Sequence, residues 1–148
     1  MKVRAEFVEP AWVESQDTVG GYINFKLPPI KPPEIADELH WWIVGRWLAD
    51  GHWDQNDSVH ISCGEHELAS LRLKLGDYAG FVHHTGTSYQ VRLKDQTGLL
   101  RQTIRRCGVG CDGKHLSPEA FTLPVDQASA LLGGYLSGDG HFLPERQR

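Results

Sequence analysis

Long apolar runs are missing from this chain: the longest, residues 41–44, is far short of the roughly 20 residues that a bilayer crossing needs. The first ten residues, MKVRAEFVEP, carry Arg4 and Glu6 where an export signal needs an unbroken apolar stretch. These absences argue against a membrane partner and against secretion, and the expected location is cytoplasmic. Cysteine is scarce as well. Cys63, Cys107 and Cys111 are an odd number with no export signal, which predicts free thiols in a reducing compartment rather than disulfide staples. There is also no basic excess: 15 Lys and Arg against 19 Asp and Glu give a net charge of −4, so no overall field attracts a polyanion. Screening limits the reach of a charge to about 8 Å at physiological salt, so a local basic face would still bind nucleic acid.

What is present is an ordinary globular composition, with 40% hydrophobic and 23% charged residues in 148, enough for one well-buried core. Within it one segment is repeated. Val44-Gly45-Arg46-Trp47-Leu48-Ala49-Asp50-Gly51-His52-Trp53 is matched by Gly133-Gly134-Tyr135-Leu136-Ser137-Gly138-Asp139-Gly140-His141-Phe142, with Asp139 lying 89 residues after Asp50. Each copy reads Gly, three residues, a small residue, then Asp-Gly-His and an aromatic, and each follows apolar residues at helical spacing.

Gly45 and Ala49 are four apart, as are Gly134 and Gly138, so on helices each pair forms a strip without bulky side chains. Two such strips let two backbones approach closely. Gly51 and Gly140 stand where a helix C-terminus favours a left-handed residue. That places Asp50 and Asp139 in last turns, where the macrodipole disfavours a carboxylate by about 0.3–1 kcal/mol. If the helices pack through their strips, the two carboxylates emerge side by side and call for a cation. Oxygen-only ligation with open positions suits Mg²⁺, or Mn²⁺ in its place.

The two segments resemble the signature helices of LAGLIDADG homing endonucleases of the intein-associated kind. The stretches between them are similar to the first half of such an enzyme in order and spacing, through Lys114-His115-Leu116-Ser117-Pro118. The resemblance implies an α+β fold, an αββαββα half followed by a second signature helix. Residues 1–34 then correspond to the lead-in and Pro-rich linker joining a splicing domain to its endonuclease, 35–124 to the first half, and 125–148 to the second signature helix and a short tail. It also implies a metal-dependent, site-specific endonuclease acting on double-stranded DNA. Asp50 and Asp139 would be catalytic, metal would lie at Asp50, Asp139, Gly51 and Gly140, and Lys114 would reach the active centre. Self-splicing is not implied, because Met1 and Arg148 stand where a nucleophile and a His-Asn would be needed. Only residues 141–148 follow Gly140, too few for a second reading sheet, so the expected partners include a second copy or a complementary C-terminal fragment. A DNA-binding remnant and an RNA-splicing cofactor are the alternatives.

The remaining residues predict a helix from Glu65 through Leu68, Leu71 and Leu75, strands over 58–63, 80–84 and 87–94 with Gly86 in the turn, and an amphipathic helix through Leu99, Leu100, Thr103, Ile104 and Cys107. Gln90, Arg92 and Lys94 alternate onto one strand face, and Arg101, Arg105 and Arg106 onto one helix face. Both are candidate DNA contacts, the first because a groove admits a strand ribbon and the second because arginine suits phosphate. A competing constellation, His60 and Cys63 with Cys107 and Cys111, has the ligand types of a zinc site.

Overall fold

The computed structural model describes residues 37–95, 97–110 and 112–140. The expected lead-in, Cys111, and the tail with His141 and Phe142 lie outside the described residues.

Helix α1 (Glu38–Asp50) starts at Asp37, whose carboxylate accepts the Leu39 N–H at 2.8 Å. Trp41, Ile43, Val44 and Trp47 are all buried, so this helix is covered on more than one side, by the sheet and by a second helix. The chain runs directly from α1 into strand β1 (Gly51–Trp53), turns at Asp54, whose carboxylate accepts the Asn56 and Ser58 N–H groups, and returns as β2 (Val59–Cys63). In α2 (Glu65–Leu75) Leu71 and Leu75 are buried and Leu73 is 85% exposed, the helical rather than the alternating outcome for this leucine-rich stretch. Strands β3 (Ala79–His84) and β4 (Tyr89–Leu93) form a hairpin whose turn holds Gly86 at φ +90°. Two further helices, α3 (Leu99–Arg106) and α4 (Val125–Asp139), complete an α+β fold.

The four strands form one antiparallel sheet in the order β1-β2-β4-β3. Its inner face carries Val59, Ile61, Cys63, Val91 and Leu93, packed with residues of α1, α2 and α3 in a single apolar core. The other face carries the alternate residues. Cross-strand register lines up His52, His60 and Arg92 in one row, and Ser62, Gln90 and His83 in the next. No helix among the described residues is long and apolar enough to cross a membrane.

One expectation and one competing reading are corrected here. Gly51 and Gly140 are not left-handed: their φ, ψ angles are −86°, 159° and −73°, 139°, both extended. The reason at Gly51 is that the chain enters β1 without a turn. Glycine is needed there for space, since a Cβ would overlap the buried Trp47 indole. The tetrahedral constellation also fails to assemble. Alternation along β2 sends Cys63 into the core and His60 to the other face, so the two cannot ligate one ion.

Candidate active site

Helices α1 and α4 lie side by side and run in the same direction. A Cβ on Gly45 would overlap the Leu131 carbonyl, and one on Gly134 would overlap the Trp42 carbonyl and stand 2.9 Å from the Arg46 amide nitrogen. The small-residue strips are therefore a backbone-on-backbone contact, and any side chain in place of either glycine would wedge the pair apart. Farther along, Gly138 meets a charge pair instead: a Cβ there would overlap Arg46 Nη1 and stand 2.5 Å from Asp50 Oδ2.

Parallel packing brings both C-termini to one end, and with them Asp50 and Asp139. Arg46 was not singled out from the sequence, yet it organises this end. Its side chain is 3% exposed, with Nη1 2.6 Å from Asp50 Oδ2 and Nη2 3.5 Å from Glu67 Oε1. Nη1 meets no hydrogen-bond acceptor at a suitable angle, so its hold on Asp50 is charge on charge rather than a directed bond. Burial raises the Asp50 carboxyl above its ordinary range. Arg46 draws it back, the charges of Asp139 and Glu67 push it higher, and Lys114 lowers it. The sequence did contain one signal for Arg46: a cation four residues before an aspartate in an otherwise apolar helix.

Lys114 reaches the same end. Gly108, at φ +94°, folds the 107–117 loop back so tightly that a Cβ would overlap the Gly113 carbonyl, and the Lys114 ammonium donates to the Trp47 and Leu48 carbonyls, each at 3.0 Å. It also lies 4.8 Å from the Trp47 ring centroid. Two carbonyls in the last turn of α1 thus accept from a cation, which suits the negative end of the helix, and the Trp47 carbonyl also accepts the Gly51 N–H. Lys114, Tyr135 and Asp139 line a cavity of about 550 Å³ together with Leu48, Leu116 and Leu131. A shallower hollow of about 810 Å³ sits at the N-terminal ends of the same two helices, beside Trp42 and Lys74, and contains neither aspartate of the repeat.

Comparison of the chain with protein-family models and with curated proteins finds no match.

Beyond Gly51 the sheet's outer face begins. His52 stacks on His60, with ring centroids 5.3 Å apart and planes 17° from parallel, and His60 Nε2 lies 3.2 Å from Asp54 Oδ2. Burial lowers the His52 pKa, and the charges of His60 and Lys114 lower it further, so the same lysine bears on both Asp50 and this face. Of the expected DNA contacts, Gln90 and Arg92 lie on the outer face and Lys94 follows β4 at its end. Arg101, Arg105 and Arg106 lie elsewhere, because α3 packs Leu100 and Ile104 into the core on the inner face. Arg105 grips Asp57 through contacts of 2.5 and 2.6 Å and lies 5.3 Å from the Trp53 ring centroid, while Arg106 pairs with Glu119 at 2.6 Å. Gln90 and Arg92 are thus separated by the sheet from the three arginines of α3, and Lys94 lies just past the end of β4.

No group of three or more His, Cys, Asp or Glu able to hold a metal ion occurs among the described residues; at the helix ends the repeat offers two carboxylates, Asp50 and Asp139. That donor set fits a hard divalent ion such as Mg²⁺ or Mn²⁺. The end gathers three carboxylates, Asp50, Asp139 and Glu67, around two side-chain cations, Arg46 and Lys114.

Proposed function

We propose that this chain is a LAGLIDADG-type endonuclease domain that hydrolyses phosphodiester bonds in double-stranded DNA with the help of Mg²⁺ or Mn²⁺. One observation carries the reading: both copies of the repeat end paired parallel helices at the same point, so two aspartates separated by 89 residues meet beside Lys114 and next to the open sheet face. Asp50 and Asp139 would hold the cation, with the backbone of Gly51 and Gly140 beside them. Bound there, it would supply positive charge against the scissile phosphate and the leaving 3′ oxygen. The protein's own groups do the rest. Arg46 fixes the Asp50 carboxylate, Lys114 adds a positive potential held in place by two carbonyls, and Gln90 and Arg92 face a groove from the outer sheet surface, with Lys94 just beyond the strand end, where a strand ribbon can reach base edges and phosphates. Water adds across the phosphodiester, leaving a 5′ phosphate and a 3′ hydroxyl.

Supercoiled-plasmid cleavage with and without Mg²⁺ tests this. The parent should nick or cut only with the metal, and Asp50→Asn and Asp139→Asn should each abolish cutting while DNA affinity persists. Cutting retained by either variant removes the paired-carboxylate mechanism.

A second reading, in which the domain grips DNA and cuts weakly until a partner covers α4, is favoured by one feature of that helix. Val125, Leu132, Tyr135 and Leu136 are 79%, 55%, 40% and 52% exposed. Sedimentation at several concentrations beside the cleavage assay separates the readings: a strictly monomeric chain that makes efficient double-strand breaks excludes the second.

A further inference from the structure

The two copies of the repeat differ where it matters to their aspartates. Four residues before Asp50 stands Arg46, buried and paired with it; four residues before Asp139 stands Tyr135, an uncharged side chain that is 40% exposed. Gly138 accentuates the difference, since it leaves room on α4 for the Arg46 guanidinium and the Asp50 carboxylate together. Arg46 is in turn shared: Nη1 faces Asp50, and Nη2 is drawn toward Glu67 on α2, whose other oxygen accepts the Gly64 N–H at 3.0 Å.

We infer that Arg46 is a positioning residue that makes the two carboxylates unequal: by engaging Asp50 through Oδ2 it weakens that residue's hold on a divalent cation and leaves Asp139 as the stronger anchor. The inference rests on the cation-binding reading above and adds to it a ranking of the two ligands and a cause for that ranking. A guanidinium 2.6 Å from one carboxylate oxygen competes with any cation for that oxygen and repels a divalent ion approaching the other. Glu67 moderates the competition by drawing the same guanidinium toward itself.

Mn²⁺ binding to the full chain, followed by electron paramagnetic resonance, tests the ranking without any catalysis. In the parent, Asp139→Asn should weaken Mn²⁺ binding at least fivefold more than Asp50→Asn. Arg46→Met should bind Mn²⁺ at least fivefold tighter than the parent, and in that background the two Asn substitutions should cost the same within twofold. Arg46→Lys, which restores the charge, should bring affinity back toward the parent value. Glu67→Gln, which retains an acceptor for the Gly64 N–H, should weaken Mn²⁺ binding by about twofold or more. Equal losses from the two Asn substitutions in the parent overturn the inference, as does a folded Arg46→Met with unchanged or weaker binding. Should Arg46→Met fail to fold, the Asn pair and Glu67→Gln decide the matter. A parent that binds no Mn²⁺ at millimolar concentration overturns the cation-binding reading itself, a different outcome from a parent that binds with equal anchors.

Discussion

Gly133 and Gly134 are neighbours on α4, yet replacing each with alanine should change stability in opposite directions. At Gly133 a new Cβ would meet only Trp42 Cδ1, at 3.9 Å, which is ordinary contact. The substitution then gains the helix preference of alanine over glycine, about 0.5–1 kcal/mol. At Gly134 the Cβ would overlap the Trp42 carbonyl oxygen and stand 2.9 Å from both its carbon and the Arg46 nitrogen. All three atoms are backbone in α1, so no side chain can swing away. The helices must separate, which also opens the reciprocal contact at Gly45. Both variants share the propensity gain, so the difference between them is the overpacking cost, about 2–3 kcal/mol when the opposing atoms are this rigid. For a chain of this size each kcal/mol moves Tm by about 2–4 °C, so Gly134→Ala should melt on the order of 5–10 °C below Gly133→Ala. Urea and thermal unfolding followed by far-ultraviolet circular dichroism measure this directly. If Gly134→Ala is as stable as Gly133→Ala, the helices do not touch through their backbones, and the account of how the aspartates meet loses its basis.

Three further outcomes are expected. His40 is buried and its pKa is lowered from 6.5, chiefly by desolvation; Thr103 Oγ1 donates to the Leu99 carbonyl and so accepts from His40 Nε2. The unfolded chain therefore binds a proton that the folded one resists, and stability should fall as pH drops below about 6.5. In His40→Leu the loss of urea midpoint between pH 7.5 and pH 5.5 should be smaller, and an equal loss counts against the assignment. Arg92→Ala and Lys94→Ala should each weaken DNA binding and reduce its salt slope by about 1, whereas Arg105→Ala and Arg106→Ala should leave the slope unchanged. Fluorescence anisotropy from 50 to 200 mM salt would place the DNA surface elsewhere if all four behave alike. Gly51→Ala should destabilise the fold although its backbone is open to any residue, because the Cβ must displace the buried Trp47 ring; an unchanged melting temperature would show that the ring yields freely.

Much of the architecture was legible because it is periodic. The helical step of Leu68, Leu71 and Leu75, the alternation through Gln90 and Arg92, and the glycine spacing in the two copies each report a local geometry that survives in the fold, whereas Lys94 falls just past the strand end. Strand β1 was not legible, because three residues beginning with glycine are too short to show alternation. The burial of Arg46 depends on Glu67 from α2 and Gly138 from α4, neither near it in sequence. The separation of Arg105 and Arg106 from Arg92 follows from which face of the sheet α3 covers, and a basic strand and a basic helix read alike until that is known. His60 and Cys63 carried their own answer, since a three-residue spacing on a strand sends them to opposite faces.

The direction of the helix pair is the least economical feature of the molecule, and for that reason the most informative. Two parallel helices set their negative ends side by side, and each then adds an aspartate to its last turn, so like partial charges and like full charges accumulate at one point. Antiparallel packing would have cancelled the dipoles. It would also have moved the two aspartates apart by about the length of a 13-residue helix, about 20 Å. What the parallel arrangement gains is therefore proximity of carboxylates, and the surrounding residues act as its compensation. The glycine seam supplies close contact between helices that repel electrostatically at their ends. The buried Arg46 guanidinium lies against Asp50, and Lys114 donates to the Trp47 and Leu48 carbonyls at the end of α1. A divalent cation would complete the same compensation from outside. On this argument it should stabilise the folded state as well as serve the chemistry, and Mg²⁺ should raise the melting temperature of the parent but not that of Asp139→Asn. Equal shifts in both proteins would mean that the charge at the helix ends is already balanced by the protein itself.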